Sequence, residues 1–170
     1  MEKRNMYIAV AVALVVVAVF IFLGFFNGFA PQASAPEPTA QTNAQALLDQ
    51  IAAEGKVTSL QIVDTAPGTG DVVKPGDTIS VNYIGVLPNG TVFDSSQGRG
   101  PFTFTVGAGQ VIKGWDTGLI GMKVGGTRLV AIPPELAYGE RAIGQIPANS
   151  SLIFQVELLS IGAPVAEPAQ

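Results

Sequence analysis

Three features of this 170-residue chain predict an α+β domain, an antiparallel sheet with one short helix against it. The first is alternation. Thr58-Leu60-Ile62, Ile79-Val81-Tyr83, Phe102-Phe104-Val106, Leu129-Ala131 and Leu152-Phe154-Val156-Leu158 each repeat an apolar or β-favouring residue at every second position, the period of a strand with one covered face. The second is punctuation, since turn-forming groups such as Ala66-Pro67-Gly68 and Lys74-Pro75-Gly76-Asp77 separate those runs. The third is a shortage of helical signals beyond Val57. Only Trp115 to Met122 suggests a helix there, and Gly118 and Gly121 make it one that forms by packing.

In chain order, residues 1–5 carry Lys3 and Arg4, and residues 6–26, MYIAVAVALVVVAVFIFLGFF, form an unbroken apolar run. A helix needs about 20 such residues to cross a bilayer, and within lipid a helix is the form that satisfies the backbone of a single segment. The positive residues precede the run and none follows closely. The expectation is therefore a single-pass signal-anchor with its N-terminus in the cytoplasm and the remainder outside. Ala33-Ser34-Ala35 has the small-x-small form of a cleavage site, which leaves secretion after cleavage as the competing reading. Against it stand the length of the run, beyond the ~7–15 residues of a signal core, and Pro36 directly after the cut. Residues 27–43, a Pro/Ala/Gln/Ser/Thr mixture with one charge at Glu37, read as a disordered linker. Residues 44–55 place Ala44, Leu47, Leu48 and Ile51 on one helical face, with Thr42 or Asn43 as cap and Gly55 as stop. Whether that short helix packs on the domain or rests at the membrane is left open by its pattern. The domain itself spans 56–162, and 163–170 form a disordered tail. Within it, Asn89-Gly90 signals a hairpin between Val86 and Val92.

Composition excludes several kinds of chemistry. The chain has no cysteine and no histidine, so disulfides, thiolate or imidazole metal sites, a Cys nucleophile and a His general base are all ruled out. With Lys+Arg 9 against Asp+Glu 13 and no basic stripe, nucleic acid is not an expected partner. Neither a cofactor nor a metal is implied. Lys113, Lys123, Arg128 and Arg141 read as solvated surface charges.

Aromatic residues gather in one stretch, Val81 to Trp115, which holds Tyr83, Phe93, Phe102, Phe104, Ile112 and Trp115 together with Asp94 and Arg99. An apolar hollow with a few convergent polar groups is the usual form of a small-ligand site. The same residues also suit the core of a small β domain, and Phe102 in particular reads as core.

The order of the pieces is more specific than their composition. Val81-Asn82-Tyr83-Ile84-Gly85, Thr91-Val92-Phe93-Asp94-Ser95-Ser96, Pro101-Phe102-Thr103-Phe104, Gln110-Val111-Ile112-Lys113-Gly114-Trp115, Gly121-Met122-Lys123-Val124-Gly125-Gly126, Ile132-Pro133-Pro134, Ala137-Tyr138-Gly139, Ile146-Pro147 and Leu152 to Leu158 follow one another in a characteristic spacing. From about Val57 to Ile161 the chain resembles the FKBP-type peptidyl-prolyl cis-trans isomerases, the macrolide-binding immunophilins. The resemblance implies a twisted sheet half-wrapped around the short helix, with a ligand pocket between them. It implies Trp115 as the pocket floor, Tyr83, Phe104, Val111, Ile112 and Phe154 as walls, and Phe93 closing one side, with Ile146 near the substrate. It further implies that the Ile112 N–H and the Tyr138 hydroxyl hold substrate carbonyls. Asp94 would sit at the rim, accepting a hydrogen bond from Tyr83 or facing the twisting amide, with Arg99 pairing to it; a turn residue ahead of Ser95-Ser96 is the alternative reading of Asp94. Two loops depart from the family pattern. Gln97-Gly98-Arg99-Gly100 is about one residue short, and Glu140 to Gln145 is short and lacks an aromatic or histidine tip. Both bear on substrate preference and macrolide affinity.

The function implied is isomerisation of X–Pro bonds in exported proteins by a membrane-anchored, monomeric, bacterial-type member of the family. Its domain would lie in the periplasm or at the cell exterior. Its partners would be proline-containing unfolded or exported polypeptides and macrolide inhibitors. A non-catalytic peptide-binding or chaperone module using the same pocket is the alternative.

Overall fold

The computed structural model describes residues 38–162. The expected membrane segment 6–26, the greater part of the linker and the tail 163–170 lie outside the described residues. Among those described, no helix is long and apolar enough to cross a membrane.

Helix α1 spans Pro38–Glu54 and so takes in residues 38–43, which composition assigns to the linker. Thr42 and Asn43 consequently lie inside it rather than capping it. Proline suits the first turn, where its missing N–H is not needed, and no glycine or further proline interrupts the run to Glu54. The C-terminal boundary falls where the sequence puts it. Gly55 adopts a left-handed φ of 70°, and its N–H bonds back to the Ile51 carbonyl at 2.8 Å.

Six strands follow: β1 (Gln61–Ala66), β2 (Thr78–Val86), β3 (Val92–Ser95), β4 (Phe102–Thr105), β5 (Thr127–Ile132) and β6 (Leu152–Gly162). Helix α2, Lys113–Gly118, lies between β4 and β5, and a single 3-10 turn, Pro134–Leu136, follows β5. The helix is shorter than Trp115 to Met122 suggests at its C-terminal end and starts two residues earlier, because the chain turns at Leu119–Gly121. The strand order is β1-β5-β6-β2-β3, with β4 also on β2, and every pairing is antiparallel. β2 is shared along its length. Thr78 to Val81 face β4, whereas Ile84 to Val86 face β3 across the Asn89-Gly90 hairpin. Register irregularities at Ser80/Val81 against β6 and at Gly85/Val86 against β3 interrupt the ladder. Such bulges bend a strand and deepen its twist.

Both faces of the sheet are covered, which alternation alone did not reveal. On one face Ile79, Val81, Val130, Ile132, Leu152, Phe154, Val156 and Leu158 pack with Trp115 of α2 and Leu119 just after it. On the other, Val86, Leu129, Ala131 and Ile153 pack with Ala44, Leu47, Leu48 and Ile51 of α1. The stripe predicted on α1 is therefore spent on the domain, and the molecule has three layers. β5 shows why alternation was a partial guide: Arg128 to Ile132 are all buried, since the strand has helices over both its faces. A buried bond from the Val57 N–H to Ser151 Oγ, 2.8 Å, fastens the segment after α1 to the start of β6.

Candidate functional site: an aromatic cleft over helix α2

α2 is barely two turns long and contains two glycines, each costing roughly 1 kcal/mol relative to alanine. Its sequence suits contact rather than autonomy. A Cβ placed on Gly114 would lie 2.4 Å from Ile132 Cγ2, and one on Gly118 2.9 Å from Val130 Cγ1. The two glycines let α2 press directly on β5, and that approach aims Trp115 into the space under β2, β4 and β6.

Around Trp115 the rings converge. Its centroid is 5.1 Å from both Tyr83 and Phe154, each nearly perpendicular to it, and 5.5 Å from Phe104. Phe93 stands edge-on to Phe154 at 5.5 Å, and Tyr83 lies 6.3 Å from Phe154. The Tyr83–Trp115, Trp115–Phe154 and Phe93–Phe154 pairs have the favourable edge-to-face geometry, and the other two are tilted. Trp115, Phe104 and Phe154 are buried, while Tyr83, Phe93, Val111 and Ile112 are half-buried and pack against them, so the group has a closed floor and an open side. Phe102 is the correction among the rings. It is 40% exposed rather than core, stacked on Phe104 at 5.6 Å and edge-on to Trp115 at 6.1 Å. β4 is held on one side by β2 and has no strand on its other side, and Phe102, also edge-on to Tyr83 at 6.0 Å, stands at the open margin of the cluster.

Polar groups stand along the open side. The Tyr83 O–H donates to Asp94 Oδ2 at 2.7 Å, and Arg99 Nη2 donates to the Tyr83 oxygen at 3.2 Å and pairs with Asp94. Asp94 lies within β3, opposite Gly85, and is not a turn residue. Burial pushes the Tyr83 hydroxyl up to about 12, helped by the hydrogen bond and charge of Asp94. For Asp94, burial acts to raise the carboxyl, but hydrogen bonds from Tyr83, the Ser95 N–H and Arg99 outweigh it and hold its pKa below the ordinary value. Near neutral pH the pair is thus a carboxylate and a protonated phenol, and neither is poised to exchange a proton.

Ile112 occupies the N-cap of α2 in an extended conformation, φ −62° and ψ 147°. Its carbonyl accepts from Trp115 N at 2.9 Å and Asp116 N at 3.3 Å, while its own N–H has no acceptor among the described residues. The Asp116 carboxylate accepts the Gly107 and Gly109 N–H groups at 2.8 and 3.1 Å, fixing the loop that leads to Val111 and Ile112. Ile146 is buried in the same core and pairs with Ile143 across a tight loop. Tyr138 differs from the rest. It is 38% exposed, follows the 3-10 turn, and makes no ring contact with the cluster, although the preceding Leu136 and Ala137 pack against the core.

Sequence reasoning missed Arg128. Placed among surface charges, it is instead 6% exposed, enclosed between β1 and the end of α2. The available signal was its position in a strand apolar on both sides, since arginine is seldom fully buried unless paired. Lys113, Lys123 and Arg141 are exposed as expected.

The fold and the cleft define a class: a sheet-and-helix domain with a ring-lined cleft, an N–H at its edge without an acceptor among the described residues, and neither histidine nor cysteine in the chain. Residues 70–159, just over half of the 170, match the profile of the FKBP-type peptidyl-prolyl cis-trans isomerase. Over 105 residues the chain is 56% identical to FK506-binding protein 4 of Chaetomium thermophilum, covering 62% of this chain but 22% of that relative. It is 53% identical over 104 residues to FK506-binding protein 1A of Neurospora crassa, covering 60% of this chain and 86% of the relative. The crystal structure of FkpA from Escherichia coli is similar at 38% identity with a TM-score of 0.58, covering 72% of this chain and 59% of that one. The chain belongs to the FKBP-type peptidyl-prolyl cis-trans isomerase family.

Proposed function

We propose that the protein accelerates rotation about X–Pro bonds by enclosing the proline in the aromatic cleft over α2. The planar amide resists rotation with a barrier of about 18–20 kcal/mol. As it twists, resonance is lost and the carbonyl oxygen gives up part of its negative charge, so water serves the twisted form less well than the planar one. An apolar enclosure favours the twisted form selectively, which is the requirement for catalysis. Trp115 serves as floor, with Tyr83, Phe104, Val111, Ile112 and Phe154 as walls and Phe93 against the proline ring; Ile146 supports the same side. The Ile112 N–H and the Tyr138 hydroxyl donate to substrate carbonyls, and Asp94, held by Tyr83 and Arg99, lines the rim beside the reacting amide.

The observation that carries this reading is the convergence of Tyr83, Phe104 and Phe154 on Trp115, with Phe93 edge-on to Phe154, beside an N–H with no acceptor among the described residues. The substrates are unfolded, proline-containing chains, and macrolides of the FK506 type compete for the same cleft. The protein acts as a monomer of bacterial type, tethered by 6–26 with its domain outside the cytoplasm. The tether rests on the apolar run and the preceding Lys3 and Arg4, and the bacterial type on that pattern and the likeness to the Escherichia coli protein, whereas the two relatives named above are fungal.

The test is a refolding reaction limited by proline isomerisation, a step of about 10–100 s unaided. The full chain should shorten the slow phase, and a macrolide should restore it. Phe93→Ala and Tyr138→Ala should each lower kcat/KM about tenfold, equivalent to roughly 1.4 kcal/mol of transition-state stabilisation. A slow phase unchanged by the protein, with peptide binding retained, would instead identify a binding module.

A further inference from the structure

The Trp115 side chain has no hydrogen bond to steer it. Its indole N–H is buried without an acceptor among the described residues, so ring packing and the placement of α2, not a hydrogen bond, set its position. α2 in turn is short, and its one internal side-chain bond, Thr117 Oγ1 to the Lys113 carbonyl at 2.8 Å, lies at the surface. At its N-terminal side the Asp116 carboxylate ties it to the loop before it. At its C-terminal side the last carbonyls have no further helical turn to satisfy them.

Arg128 satisfies the last of them, at Gly118, and one in the turn beyond, at Ile120. Its Nη1 donates to the Gly118 carbonyl at 2.8 Å and to the Ile120 carbonyl at 2.9 Å. Its Nε and Nη2 donate to the two oxygens of Asp64 at 2.6 and 3.0 Å. Four donors of one planar fork are therefore engaged, two on a carboxylate and two on carbonyls at and just beyond the end of the helix. Asp64 and Arg128 are direct cross-strand partners in β1 and β5, so the sheet register itself sets the fork under α2. The arginine side chain is 7% exposed and the aspartate 51%, which places the charge pair at an opening with the helix on its inner side.

We propose that Arg128 is a positioning residue for the cleft: anchored by Asp64, it pins the last carbonyl of α2, at Gly118, and the Ile120 carbonyl of the turn beyond, and thereby sets the height of Trp115 beneath the bound proline. A lysine cannot reproduce this, since a point-like ammonium does not span a carboxylate and two carbonyls in one plane. The proposal rests on the isomerase reading for its consequence in catalysis, but not for its structural content.

The single tryptophan of the chain makes the test direct, because its fluorescence reports the cleft floor. In the full chain, Arg128→Met and Arg128→Lys should keep a cooperative melt while acrylamide quenching of Trp115 rises at least twofold well below the melting temperature. kcat/KM should fall about tenfold in both. Asp64→Asn, which leaves the arginine in place, should give a smaller change in the same direction and serves if the Arg128 variants fail to fold. Leu48→Ala, on the far side of the sheet, is the comparison: it should lower the melting temperature while leaving Trp115 quenching unchanged. Unaltered Trp115 quenching in the folded Arg128 variants, or in Asp64→Asn if they do not fold, overturns the proposal. So does a quenching change in Leu48→Ala equal to theirs. If the parent protein shows no isomerase activity, the functional reading fails, and the fluorescence result decides the role of Arg128 separately.

Discussion

Gly85→Ala adds one methyl group where two walls of the cleft meet. Gly85 is buried in β2, opposite Asp94 in β3 and Phe154 in β6. A Cβ there would stand 2.6 Å from Phe93 Cζ, 2.9 Å from Phe93 Cε2 and 2.8 Å from Phe154 Cε1. Carbon atoms rest about 3.5–4.0 Å apart, so roughly 1 Å of retreat is needed on two sides. Phe154 has nowhere to go, being buried with Trp115 at 5.1 Å behind it. Phe93, half-buried, gives way outward and opens the cleft. Overpacking of this kind costs about 1–3 kcal/mol, while Gly→Ala in a compatible backbone stabilises by about 0.4–1 kcal/mol through the unfolded chain. The net expectation is a loss of about 1–2 kcal/mol, or a fall in melting temperature of roughly 3–12 °C for a domain of this size. Calorimetry measures the first quantity. A refolding assay measures the second, a drop of about tenfold in kcat/KM as Phe93 moves. The sign is the decisive reading. If Gly85→Ala melts at or above the parent temperature with full activity, the two rings do not meet over Gly85, and the geometry of the cleft is wrong.

Leu48→Ala should cost about 2–5 kcal/mol in chemical denaturation, because Leu48 is 4% exposed between α1 and the back of the sheet. kcat/KM should be flat from about pH 6 to 9, since the cleft holds neither a histidine nor another group titrating there; a bell-shaped profile would contradict a mechanism without proton transfer. Stability should decline at the two extremes for different reasons. Asp94, with its pKa lowered from the ordinary 3.8, contributes stability above that value that is lost as pH falls through the lower folded-state value, and Asp94→Asn should remove that part of the acid slope. Tyr83, raised from 10.0 to about 12, contributes stability below 10 that is lost between 10 and 12, and Tyr83→Phe should flatten this window.

Much of the domain was legible because strands and turns advertise themselves locally. The Asn89-Gly90 hairpin, the Gly55 stop and the alternation of β6 follow from short-range chemistry, and each lies where the sequence suggests. The ring cluster was legible by order rather than by periodicity. Phe102 was misjudged because an aromatic in an alternating run looks the same whether its strand is interior or at an edge. Arg128 was misjudged because a charge is assigned to the surface unless its partner is known, and Asp64 lies far away along the chain.

The amino-acid order alone determined the α+β class, the turn positions, the exclusion of imidazole and thiol chemistry, and the set of aromatic residues able to form a cleft. Only the tertiary structure decided that α1 covers the back of the sheet, that Phe102 stands at the exposed margin of the ring cluster while Tyr138 stands apart from it, and that Arg128 closes the end of α2. The physical reason is range. Backbone preferences and alternation act over a few residues, whereas burial and charge pairing depend on which distant strands the register brings together.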